Sequence, residues 1–96
     1  MKPKETDSLD TVEMVMAIEE VLGIEIPGST QFESLSELVD RLEVILSNRR
    51  PNIEAVALLR KIAKDRQQLE LAEGLERPWR REQIAAVVRE VFRRMD

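Results

Sequence analysis

The sequence predicts an all-α fold, a small bundle of four to five helices, on three observations. Glycine and proline are few, three and four in 96 residues, and they stand as punctuation between longer stretches without a breaker. Within those stretches the apolar residues recur at helical spacing. No stretch shows the alternation of a half-buried strand, and no internal repeat or low-complexity segment interrupts the pattern. At 96 residues the chain is read as one domain, 1–96, able to bury a core without staples.

Each element follows from its own signals. Asp7 and Ser8 are good N-terminal capping residues, Leu9 to Leu22 is unbroken, and Gly23 supplies the residue after a helix end, so a helix is expected over about 8–22. Gly23 to Ser34, with Pro27-Gly28 inside it, reads as a loop with room for one helical turn around Gln31. Ser34 followed by Glu37 is a capping box, predicting a helix from Leu35 to Leu46 with Leu35, Leu38, Val39 and Leu42 inward and a stop at Asn48 to Pro51. Asn52 can cap a further helix, expected over 52–73, with Val56, Leu59, Ile62 and Ala63 at helical spacing before Gly74. Pro78 suits the first turn of a last helix over 79–95, where Ile84, Val87, Val88, Val91 and Met95 form the cleanest stripe in the chain.

Composition removes much chemistry. The chain has no Cys and no His, which excludes a disulfide framework, a thiolate zinc site, an imidazole base and a Ser-His dyad. A stand-alone hydrolase of the usual kinds is not expected. The longest apolar runs, Met14 to Ile18, Ala55 to Leu59 and Ile84 to Val88, fall far short of the roughly 20 residues of a membrane span, and nothing near Met1 resembles a signal peptide. The expected compartment is the cytoplasm. The net charge of −4 is unevenly spread: residues 1–48 carry 3 basic and 11 acidic side chains, a sum of −8, and residues 49–96 carry 12 and 8, a sum of +4.

On a wheel of about 100° per residue, the first helix has two apolar faces. Met14, Val15, Ile18, Val21 and Leu22 form a wide face for the core. Leu9, Val12 and Met16 form a narrower stripe on roughly the opposite side, rimmed by Glu13, Glu19 and Glu20, with Asp10 further round. An apolar stripe with a carboxylate rim suits a basic partner, whose charge would steer encounter while the apolar residues hold it. The alternative is a helix buried on both sides in a crowded bundle. Ser8 stands at the expected helix start, where a phosphate on its hydroxyl would meet unpaired backbone N–H groups and the positive end of the dipole; a serine there also serves simply as a cap.

The string from Asp7-Ser8-Leu9-Asp10 through Glu19-Glu20, followed by Gly23-Ile24-Glu25-Ile26-Pro27, closely resembles the acyl carrier protein family around its prosthetic-group serine. The likeness continues through Phe32-Glu33-Ser34-Leu35 and Leu38-Val39-Asp40-Arg41-Leu42, so that an acyl-carrier-like core spans about 7–46. The resemblance implies a carrier, not an enzyme. Ser8 would be esterified with 4′-phosphopantetheine from coenzyme A by a phosphopantetheinyl transferase using Mg²⁺, with Asp7 and Leu9 flanking it and Asp7 helping to position that reaction. The arm's thiol would hold acyl groups as thioesters, which explains how a chain without Cys handles acyl chemistry. Asp10, Val12, Glu13, Met16, Glu19 and Glu20 would face basic patches on the transferase and on acyl synthases and acyltransferases. No structural metal and no catalytic residue is expected.

Two departures from the family pattern carry consequences. Only Met1 to Thr6 precede the motif, where the family has a long first helix and loop, and Glu5 stands where the family usually has Gly. The final helix resembles the missing first one in pattern, so the domain is expected to be completed in circularly permuted fashion: 79–95 in the first-helix slot and 52–73 as an added helix carrying the chain back. A monomer is expected on this reading, and completion through a dimer is the alternative. A carrier-like interaction module that does not use the arm is the competing function. The basic residues of the second half, from Arg49 to Arg94, are interleaved with acidic ones and read as solvated helix faces, not as a nucleic-acid or membrane surface.

Overall fold

The computed structural model describes residues 4–26 and 34–94, with side chains for 13–26 and 34–94. Helix α1 spans Lys4–Leu22, α2 Leu35–Ile45, α3 Ile53–Arg66 and α4 Arg81–Arg94, with a short 3₁₀ segment at Leu69–Ala72. No strand occurs among the described residues, and the all-α expectation holds. The expected loop features at Pro27-Gly28 and Gln31, the pair Phe32-Glu33, and the last stripe residue Met95 lie outside the described residues.

Four boundaries differ from expectation. Helix α1 begins at Lys4 instead of about residue 8, because nothing between Lys4 and Ser8 breaks a helix and the capping tendency of Asp7 and Ser8 is overridden. Helix α2 ends at Ile45, with Leu46 as its C-terminal cap and Asn48 in the left-handed region beyond, one residue short of the expected end. The helix expected over 52–73 stops at Arg66. Had it continued, the positions following Ile62 and Ala63 on the inward face would be Arg66, Gln67 and Glu70; the chain instead turns through Gln67, at φ 57°, and the 3₁₀ segment brings Leu71 inward. The last helix starts at Arg81, so Pro78 precedes it and does not occupy its first turn.

Helix ends are closed by specific bonds. Gly23, at φ 65°, ends α1, and the N–H groups of Gly23 and Ile24 both donate to the Glu19 carbonyl, at 2.8 and 3.2 Å. Ser34 caps α2 as expected, its hydroxyl accepting from the Glu37 N–H at 3.2 Å. Asn52 has the backbone of a cap, but its side chain does not cap α3; it donates to the Val21 carbonyl at 2.8 Å, tying the end of α1 to the start of α3.

One continuous core unites both halves of the sequence. Met14, Ile18 and Leu22 of α1, Leu38, Val39 and Leu42 of α2, Ala55, Leu59, Ile62 and Ala63 of α3, and Ile84, Val87, Val88 and Val91 of α4 pack in it together. Helix α4 touches all three other helices and so forms the spine of the bundle. Its stripe is buried as the spacing predicts. Gln83, at 0 % exposure, lies on the same side because it precedes Val87 by four residues. Its carbonyl oxygen accepts from the Arg80 N–H at 3.0 Å, and its amide donates to the Leu71 carbonyl at 3.2 Å. Arg80 adds bonds to the carbonyls of Glu73 and Glu70, at 3.1 and 2.8 Å, fastening the 3₁₀ segment to the start of α4. Trp79 packs against the core, as its place at a helix start suggests, and its N–H donates to the Arg49 carbonyl at 2.9 Å.

Candidate functional site

The candidate site is built on α1. Ser8 lies in the second turn of that helix, since α1 starts at Lys4. The expectation that Ser8 meets the unpaired N–H groups of a helix start is therefore corrected: those groups belong to the residues before it. The side chains of Asp7, Ser8, Leu9, Asp10 and Val12 lie outside the described ones. Helix geometry still fixes their phase. Ser8 stands about 20° from Glu19 on an ideal wheel.

The two-faced character of α1 is visible where side chains are described. Met14, Val15, Ile18 and Leu22 are buried and Val21 is half-buried, forming the wide inward face. Met16 is 57 % exposed, and Glu13 and Glu20 are exposed beside it. Of the stripe drawn on the wheel, Met16 is the described member, a large apolar side chain in water between two carboxylates, and burial of α1 on both sides does not occur at this position. Glu19 has a different place. Its carboxylate accepts from the Ile26 N–H at 2.7 Å, so it braces the chain leaving α1. No sequence signal separated Glu19 from Glu20; the difference arises from the turn at Gly23, which folds Ile26 back onto the helix.

Among the described residues, three of the four basic residues of α4, Arg81, Arg93 and Arg94, pair elsewhere. Arg81 reaches α2, where its guanidinium meets Asp40 at 2.5 Å and Glu43 at 2.7 Å. Those two hydrogen bonds, to Asp40 first and Glu43 second, hold Arg81 charged above the usual arginine value. Arg93 and Arg94 pair with Glu90 at 3.9 and 3.3 Å within α4 itself. Among the described residues, the ion pairs of α4 leave Glu13 and Glu20 open to solvent.

A pendant phosphopantetheine arm asks for one hydroxyl and for a flank that other proteins can reach. Ser8 supplies the hydroxyl, and the exposed Glu13, Met16 and Glu20 supply the flank, so the residues present fit such a group. Among the described residues no cluster of three or more metal-ligating side chains forms, and no helix is long and apolar enough to cross a membrane.

Comparison with known proteins places the segment among sequences of known kind. Residues 5–42 match the family described as "Phosphopantetheine attachment site". Over 36 residues the chain is 58 % identical to an acyl carrier protein from Guillardia theta, an alignment covering 35 % of this chain and 44 % of that protein. The chain thus spans less than half the length of this curated relative. No solved structure matches it.

Proposed function

We propose that this chain, a carrier of the acyl carrier protein family through residues 5–42, holds acyl groups as thioesters on a 4′-phosphopantetheine arm esterified to Ser8, for fatty acid, polyketide or specialised lipid synthesis. The single observation that carries the reading is the matched attachment segment running into a helix with an exposed acidic face. When attached, the arm supplies the thiol that the chain itself lacks.

The protein's own residues then have two tasks. Glu13 and Glu20, with Asp10 and Leu9 toward Ser8, present negative charge and apolar surface to basic patches on the phosphopantetheinyl transferase, acyl synthases and acyltransferases, so that encounter is steered by charge. Glu19 serves the same surface from behind, because its bond to Ile26 fixes the chain beyond Gly23. Asp7, next to the hydroxyl, helps to position the transfer to Ser8. Helices α3 and α4 close the wide face of α1, and in this reading α4 takes the first-helix slot of a permuted carrier fold, leaving a cytoplasmic monomer.

Incubation with coenzyme A, Mg²⁺ and a broad-specificity transferase, followed by the intact mass, tests the assignment. One phosphopantetheine adds to the native chain and none to Ser8→Ala. An unmodified native chain, or an Ser8→Ala chain that still gains the arm, refutes it. A second reading, an interaction module that does not use the arm, is favoured by the start of α1 at Lys4, which sets Ser8 inside the helix. It predicts no added mass.

A further inference from the structure

The second half of the chain carries a feature that a carrier function does not call on. Between α3 and α4 lies a cleft of about 160 Å³ lined by Ile62, Arg66, Gln68, Ala86, Arg89 and Arg93, with Glu90 at its edge. Three arginines from two helices thus line one small space. Half of the cations in this half are spent on neighbours, as Lys61 is on Asp65, Arg80 on Glu82 and Arg81 on Asp40 and Glu43. Arg66 and Arg89 are exposed, and among the described residues neither has a carboxylate within ion-pair distance. Glu90, the one acid at the cleft, is engaged by Arg93 and Arg94 and does not neutralise the other two.

We propose that this cleft binds a phosphoryl group, presented either by a soluble phosphate ester or by a lipid headgroup. A single carboxylate would be satisfied by one guanidinium fork, whereas a tetrahedral dianion has enough oxygens for several forks at once. Ile62, which is buried, and Ala86, which is half-buried, leave the polar groups of the arginines and Gln68 as most of the cleft's surface. Gln68 adds a neutral amide donor. Arg66 stands in the last turn of α3, where a cation also offsets the carbonyl end of the helix, but that long-range role leaves its N–H fork unpaired. The site is independent of Ser8 and of the acidic face of α1.

The test follows the arginine and glutamine side-chain N–H resonances of the full chain during titration with inorganic phosphate at constant ionic strength, chloride serving as the control anion. Saturable shifts at Arg66, Arg89 and the Gln68 side-chain amide, absent with chloride, are expected, and the affinity read at Gln68 and Arg93 falls roughly tenfold or more in Arg66→Gln/Arg89→Gln. Equal shifts with both anions, or phosphate binding undiminished in the double variant, would overturn the proposal. Both positions are exposed, and unchanged far-ultraviolet dichroism shows that the variant is folded. Sedimentation with vesicles containing phosphatidic acid, against phosphatidylcholine alone, then identifies the source. Retention that the double variant loses assigns a lipid headgroup, and phosphate binding without retention assigns a soluble ester.

Discussion

Gln83 illustrates how much one buried amide can organise. It accepts from the first N–H of the α4 entry and donates across to the 3₁₀ carbonyl of Leu71, so two elements meet on one side chain. Replacing Gln83 by Ala leaves a buried carbonyl and an N–H without these partners, at a cost of about 1–3 kcal/mol, read as a lower denaturation midpoint in urea. Its position was legible, since it continues the α4 stripe by one turn, yet its chemistry was not: a polar residue on an apolar stripe signals burial only when the carbonyls it must satisfy are known. Asn52 repeats the lesson in another form. Its cap position was readable, but the Val21 carbonyl that claims its side chain is 31 residues away in sequence.

Among the elements, those whose stops are written in their own residues agree best with expectation. Ser34 and Glu37 mark the start of α2, and Gly23 marks the end of α1. Helix α3 has no such mark. Its end depends on Gln67 adopting a left-handed conformation so that Leu71, not Arg66 or Gln67, enters the core. Gln67→Gly removes that strain and raises stability by up to about 1 kcal/mol, seen as a higher melting temperature. The contact between α2 and α4 through Arg81 was equally hidden, because an ion pair across 41 residues leaves no local trace. Its arginine pKa is raised in the folded state, so the stability it contributes is fully present below the ordinary arginine value and is lost only as pH rises through the higher folded one. Arg81→Gln therefore lowers stability slightly and to the same extent at pH 7 and at pH 9, read as equal shifts of the midpoint in parallel urea titrations.

At the scale of the molecule, the two oppositely charged halves of the sequence meet where Arg81 of α4 pairs with Asp40 and Glu43 of α2. The candidate site was legible as a string and as a wheel; what required the structure was the knowledge that α4 completes the core beside α1 while directing its cations elsewhere. Replacing Arg81, Arg89 and Arg93 together by Gln is expected to leave the rate of transferase modification at Ser8 unchanged, measured by intact mass over time. A faster rate would mean that these residues screen α1.

Beside the charged contacts of Arg80 and Arg81, several joints between the chain's segments are made by uncharged groups: the Asn52 amide on Val21, the Gln83 amide on Leu71, the Trp79 backbone N–H on Arg49. Dissolved ions weaken attractions between exposed charges over distances near 10 Å but act little on such short neutral bonds or on a closed apolar interior. The forces that keep the bundle assembled and the forces that would draw a basic partner to Glu13 and Glu20 are thus of different kinds. A rise in ionic strength can dismiss the partner while the architecture that offered the surface stays intact.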